Sequence, residues 1–311
     1  MLKISKNLLV ISAALLLVGC SNDIKNEDTP IVEFKESLKV LSNPVKTSYN
    51  CGNNFDKQGL TLVYTDKNGN NSTVTDFTLS EDKNLTYDQT YVKASYNNLS
   101  VNVSIEVNDV IEGQLTCVGD SLTHGQSWKN EAYPVYIPDN LSGHLLTVSN
   151  CGRDGASFKT FGQYNPAYNT TEQYQTSLTG NPIVLSILLG TNDATNWNNE
   201  KDLYVQDYTD LVNLYRTTFG EQLKIIMMTS PRCISPNQFG IPSDIICNEV
   251  VPLQRQLAED LDCYLLDLNQ EFEKYTDAEL FRENDGVHFT KNAAQITAKL
   301  LAEKIKSIYG I

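Results

Sequence analysis

The chain has 311 residues, 41% of them hydrophobic and 20% charged, and carries a formal net charge of −14. At about 150 residues per domain that length suggests two domains, and the apolar content is too high for a disordered chain and too dispersed for a multi-span membrane protein. The acidic balance excludes a general nucleic-acid binder, which needs Lys and Arg to displace phosphate counterions, and disfavours polyanionic substrates.

Residues 1–20 read as a targeting segment. Lys3 and Lys6 precede an apolar run from Leu8 to Val18 that only Ser12 interrupts, shorter than the ~20 residues a membrane-spanning helix needs. The run ends in Leu17-Val18-Gly19-Cys20, which resembles the cleavage box of bacterial lipoproteins. That resemblance implies a signal peptide over 1–19 and lipidation of Cys20. The membrane would then be met through a lipid anchor only, at the cell surface or in the periplasm. A plain secretory signal with an incidental cysteine is the alternative. Residues 20–30 are polar and acidic, as a flexible tether should be.

The other six cysteines show neither C-x-x-C nor any other close spacing, so no metal site, redox motif or cofactor is expected. Cys117 and Cys263 fall in apolar runs and read as buried thiols. Cys233 and Cys247 could close a loop in an oxidising compartment, and spacing leaves that open.

Residues 31–108 carry strand signals only. Val101, Val103, Ile105 and Val107 alternate with Asn102, Ser104 and Glu106, and Leu60, Leu62 and Tyr64 alternate similarly. Asn68-Gly69 marks a hairpin turn before the run Thr73 to Leu79. These short strands predict a small all-β sandwich. The stretches Lys46 to Tyr49, Gly52 to Asp56 and Gly59 to Tyr64, with Gly69, resemble bacterial immunoglobulin-like domains, which implies a spacer or adhesion unit. The polar exposed positions favour the spacer.

From residue 109 to the end the rhythm changes. Apolar runs at Leu115–Val118, Leu145–Val148, Ile183–Leu189, Leu223–Met228 and Cys263–Leu266 are separated or followed by amphipathic stretches. The clearest of these are Asp202–Phe219, Asn248–Leu261 and Lys291–Ile308. Alternating β and α units predict an α/β domain, a parallel sheet with helices on both faces. Functional residues should then follow the carboxyl ends of the strands.

Four motifs stand there: Gly119-Asp120-Ser121-Leu122, Asn150 to Gly155, Gly190-Thr191-Asn192-Asp193 and Asp285-Gly286-Val287-His288. Serine is a weak nucleophile unless a base takes its proton, and imidazole is the usual base. Of the three histidines, only His288 has a carboxylate, Asp285, three residues upstream on a loop placed for a site. That carboxylate would fix the tautomer and support the imidazolium. His124 lies near Ser121 but has no carboxylate at suitable spacing, and His144 reads as a loop or surface residue. The Asn192 amide and the backbone N–H groups of Gly155 and Ser121 would serve as oxyanion donors.

The four blocks, in this order, resemble the SGNH (GDSL) hydrolase superfamily over roughly residues 114–308. The resemblance implies a three-layer α/β/α sandwich with a five-stranded parallel sheet. It assigns Ser121 as nucleophile, His288 as base and Asp285 as its orienting acid, with Gly155, Asn192 and the Ser121 amide as the oxyanion hole. Gly152 is the other candidate for the oxyanion glycine, and Gly155, five residues after Asn150, is the better match. Asp120 and Asp193 are expected to hold their loops by bonds to backbone N–H groups.

Phe158, Phe161, Tyr164 and Tyr168, with Trp197 beyond the third block, either stack on a sugar or pack their loops down. Neither loop offers a long aliphatic patch. With the exported, tethered chain, this points to an esterase acting on an acetylated carbohydrate. Alternatives are a lipase- or lysophospholipase-like esterase and an inert glycan-binding surface protein. Oligomeric state is not legible.

Overall fold

A computed structural model describes residues 34–159 and 165–311. Cys20, the signal and tether segments, Phe161 and Tyr164 lie outside the described residues. No described helix is long and apolar enough to cross a membrane.

Eight strands come first: β1 (Ser37–Ser42), β2 (Ser48–Cys51), β3 (Thr61–Thr65), β4 (Asn71–Val74), β5 (Thr78–Ser80), β6 (Tyr91–Tyr96), β7 (Leu99–Ser104) and β8 (Glu106–Gly119). β1, β3 and β4 form one antiparallel sheet and β5, β6 and β7 another. The Asn68-Gly69 turn joins β3 to β4, where Asp66 Oδ1 accepts from the N–H groups of Asn68 and Asn70. The run Thr73 to Leu79 is divided between β4 and β5, in different sheets.

No break in the chain falls at 108/109. β8 runs without interruption across that point, and β2 pairs parallel to its first half, Ser48 with Glu106 through Cys51 with Ile111. Its second half pairs parallel with β9 (Leu145–Gly152) on one side and β10 (Val184–Leu188) on the other. β11 (Lys224–Met228) and β12 (Tyr264–Leu266) complete the order β9-β8-β10-β11-β12. These five parallel strands and their flanking helices make the α/β domain.

The period of two along each strand feeds two cores. Leu115 and Cys117 of β8, Val184 and Leu188 of β10, and Ile226 and Met228 of β11 enter one. Val118, Leu185 and Ile187, and Ile225 and Met227 enter the other. β10 is buried at all five positions, as a strand covered on both faces must be. The first core is closed by Tyr133 and Ile137 and by the helix Lys291–Tyr309, which buries Ala294, Ala298, Leu301 and Ile305 at helical spacing. The second is closed by the helix Trp197–Phe219, through Tyr204, Tyr208, Val212 and Tyr215.

The first core continues into the all-β segment, where it takes in Tyr49, Leu62, Leu85, Val92 and Val103. Asn84 is the polar hinge pin of that contact. Its Nδ2 donates to the carbonyls of Ile183 (2.9 Å) and Gln222 (2.8 Å), and its Oδ1 accepts from Tyr309 (2.6 Å). The segment is therefore docked where β10 and β11 begin, at the end of the sheet away from the carboxyl ends of its strands.

Candidate active site

The order β9-β8-β10 makes the chain reverse direction at β8 and β10, the place where open α/β sheets form crevices. Ser121 follows β8 at the start of a one-turn helix, Ser121–His124. Asp120 caps that turn, its Oδ1 accepting from Leu122 N–H at 2.8 Å. Burial pushes the Asp120 carboxyl up to about 7, with the Asp193 carboxylate adding to the rise and the Leu122 bond opposing it.

Asp285 and His288 lie on the loop before the helix Lys291–Tyr309. His288 Nε2 lies 2.9 Å from Ser121 Oγ, and its Nδ1 lies 2.9 Å from Asp285 Oδ2. All three are buried. Asp285 Oδ1 also accepts from the backbone N–H groups of Val287 (2.9 Å) and His288 (2.7 Å). Burial works to raise this carboxyl, but the bonds from the His288 ring and backbone outweigh it and hold the group below the usual carboxylate range. Asp285 is therefore an ionised acceptor that fixes Nδ1 as the protonated nitrogen, leaving Nε2 to accept from Ser121.

The loop after β9 is strapped to its neighbours. Asn150 Nδ2 donates to Thr123 O, Asn192 Nδ2 to Ala156 O, and Asp193 Oδ1 accepts from Phe158 N–H. The two glycines of this block separate cleanly. Gly152 is packed where a Cβ would come within 2.3 Å of His124 N. Gly155 instead lines the cleft beside Ser121 and Asn192, with φ +71.

That cleft is open, about 510 Å³, and is lined by Gln126, Arg153, Asp154 and Thr195 as well as by Phe239, Ile241 and Val287. A crevice of only about 10 Å³ lies on the other side of Ser121 and His288. There Arg282 stacks on Trp128 at 3.8 Å and pairs with Glu131 at 2.7 Å. Among the described residues no group of three or more His, Cys, Asp or Glu could hold a metal ion.

One sequence expectation is corrected here, and alternatives that the sequence left open are decided. His124 does have a carboxylate: Asp154 reaches it across thirty residues, Nδ1 to Oδ1 at 2.7 Å. His144 lies in the loop before β9, as expected, and its Nδ1 accepts from Ile111 N–H at 3.1 Å. Phe158 and Tyr168 are core residues, Phe158 against Tyr204 and Tyr208 and Tyr168 donating to Cys151 O. Trp197 is buried beside Tyr204, its Nε1 donating to Glu249 at 2.6 Å. Cys233 and Cys247 are both free thiols. The residue that sequence reading missed is Phe239. Its signal was available, for it stands in the loop after β11, at the same end of the sheet as the four motifs.

The fold and this arrangement of blocks define an SGNH hydrolase. The chain belongs to the GDSL-like lipase/acylhydrolase family, which it matches over residues 117–296. An acetylxylan esterase of Xylanibacter ruminicola is 23% identical over 218 residues, covering 62% of this chain and 43% of that protein. The chain thus spans less than half the length of that relative. Two solved structures share the fold. A carbohydrate acetylesterase family member from Sinorhizobium meliloti has 19% identity and a TM-score of 0.50, over 64% of this chain and 100% of its own. A lipase/acylhydrolase from Enterococcus faecalis has 17% identity and a TM-score of 0.50, over 63% and 96%.

Proposed function

We propose that this protein is a serine esterase that removes O-acetyl groups from a carbohydrate through an acetyl-enzyme. The observation that carries the reading is the contact of 2.9 Å between Ser121 Oγ and His288 Nε2, with Asp285 at 2.9 Å behind the ring. Ser121 Oγ attacks the ester carbonyl while His288 Nε2 takes its proton, and Asp285 stabilises the imidazolium. The oxyanion is held by the backbone N–H groups of Ser121 and Gly155 and by the Asn192 amide, whose other N–H is spent on Ala156 O. As the ester C–O bond breaks, His288 returns the proton to the departing sugar oxygen. Water then attacks the acetyl-enzyme with His288 again as base, releasing acetate and restoring Ser121. His288 must be neutral to act as the base.

Two features support a short acyl group on a polar alcohol. The crevice behind Ser121, at about 10 Å³, admits a group no bigger than a water molecule. The cleft in front combines Gln126, Arg153, Asp154, Asn165 and Thr195 with a small apolar set, the mixture expected for a hydroxylated ligand. The acetylesterase names among the relatives point the same way. The apolar set, Phe239, Ile241 and Val287, favours a second reading as an esterase of longer acyl chains. The deciding experiment is acetate release from acetylated polysaccharides beside a C2-to-C16 p-nitrophenyl ester series. Preference for C2 with acetate release supports the proposal, and preference for long chains replaces it. Export as a Cys20-anchored lipoprotein, with an immunoglobulin-like spacer over 31–108, belongs to the same proposal; metabolic labelling with palmitate tests the anchor.

A further inference from the structure

The aromatic residues that the sequence offers as sugar platforms, where described, are spent in the core. One exposed ring lines the cleft instead. Phe239 is 39% exposed and meets the His288 ring edge-to-face, with centroids 5.0 Å apart and an interplanar angle of 84°. It therefore presents apolar surface within reach of the reacting ester.

The same cleft holds a carboxylate oriented before any ligand arrives. Asp154 Oδ1 is bonded to His124 Nδ1 at 2.7 Å, yet the Asp154 side chain stays 33% exposed. A carboxylate has roughly four acceptor positions, so this bond leaves capacity for a ligand hydroxyl. Arg153 Nη1 donates to the main-chain carbonyl of Asp154 at 2.8 Å, which adds donors at the same edge. The chemistry assigned to Ser121, His288 and Asp285 uses none of these groups.

We propose that Phe239 and Asp154 form the subsite for the sugar that carries the ester. An apolar face of the ring packs on Phe239, and a free hydroxyl near the acetate donates to Asp154, which His124 holds in place. The ligand class is a neutral, partly acetylated pyranose; a lipid acyl ester lacks the rigid ring that Phe239 would meet, even where, as in a lysophospholipid, a hydroxyl neighbours the ester. This inference rests on the acetylesterase reading and assigns its specificity to two residues outside the four sequence blocks' catalytic positions.

The test compares kcat/KM on partly acetylated xylo-oligosaccharides with kcat/KM on p-nitrophenyl acetate, for the native protein, Phe239→Ala, Phe239→Tyr, Asp154→Asn and His124→Gln. The sugar-to-nitrophenyl ratio is expected to fall at least about tenfold in Phe239→Ala and Asp154→Asn, a loss of about 1.4 kcal/mol, and mainly through KM. Phe239→Tyr, which keeps the ring, should return the ratio to within about threefold of native. His124→Gln should fall between. Parallel losses on both substrates would mean that the His124–Asp154 pair is only a strut between the Ser121 turn and the Gly155 loop, and would overturn the proposal. Unchanged ratios overturn it equally. A native protein that releases acetate from no carbohydrate, or prefers long acyl chains, fails at the earlier step and removes both readings together.

Discussion

The hydroxyl of Ser121 and Nε2 of His288 stand 2.9 Å apart although 167 residues separate them in the chain. The two arrive from opposite ends of the α/β domain, one on the turn after β8 and the other on the loop before the last helix. Replacing Ser121 with Ala should lower kcat on p-nitrophenyl acetate by about 10⁶-fold, and Asp285→Asn by about 10⁴-fold through the wrong tautomer of His288. Thermal unfolding of Ser121→Ala should stay near native, because a hydroxyl is removed and no backbone bond depends on it. A fluorophosphonate should label the native protein and not this variant.

Asn192 should show its role in kcat. Losing one oxyanion donor costs about 10²–10³-fold in kcat, with a smaller effect on KM. Asn192→Ala also removes the bond to Ala156 O, and Asn192→Asp loses it too, because a carboxylate cannot donate to a carbonyl; the Asp variant is the more severe of the two. It keeps the shape but exchanges donors for a charge that repels the oxyanion. Steady-state kinetics on a C2 ester should find both variants slow, with Asn192→Asp the slower.

Asp120 should impose a pH dependence on stability. Its folded pKa, pushed up to about 7 chiefly by burial, lies above the ordinary 3.8. Between those values the folded state binds the proton more tightly than the unfolded chain, so stability declines as pH rises from about 4 to about 7. Above that range the loss is complete and constant. Asp120→Asn keeps an acceptor for Leu122 N–H and does not titrate. Urea unfolding across this window should therefore show the variant gaining on the native protein as pH rises.

Asn84 should matter to the whole chain. It binds the all-β segment to the starts of β10 and β11 and to Tyr309. Asn84→Ala leaves the buried Tyr309 hydroxyl without its partner, while Ile183 O keeps the Lys224 N–H and the Gln222 carbonyl is only partly buried, so the expected cost is about 1–3 kcal/mol for the one buried group left unsatisfied. Calorimetry is expected to show a lowered Tm. Because the first core is continuous through both parts, native unfolding should be a single transition, and a separate early transition for residues 34–105 would contradict that.

Much of this molecule is written in short-range pattern. A period of two in Leu185, Ile187 and Leu189 marks a strand, helical spacing in Tyr204, Tyr208 and Tyr215 marks a covered helix face, and Asn68-Gly69 marks a turn. Each depends on neighbours within a few residues, so local chemistry suffices. Three of the four blocks were legible for the same reason: each follows a strand that its own pattern reveals, and a parallel sheet brings the ends of such strands together, while the fourth stands before the last helix, whose own spacing marks it.

What pattern could not decide is which side chains meet. Phe158, Tyr168 and Trp197 are polar-flanked aromatics like many on a binding loop, yet Tyr204 and Tyr208 meet Phe158, Tyr204 meets Trp197 and Tyr174 meets Tyr168, so all three enter the core. Phe239, whose place in the loop after β11 was its one sequence signal, is left exposed in the cleft lining. His124 finds Asp154, and His144 finds Ile111, only because β8 and β9 lie side by side. β8 likewise passes through the point where composition changes, because β2 and β10 offer it partners on both stretches. Sequence alone determined the elements, their order and the residues able to do ester chemistry, since these follow from backbone preference and hydrophobic period. Tertiary structure alone decided which rings are buried, which histidine has which partner and what faces the substrate, since these depend on packing between segments tens to hundreds of residues apart.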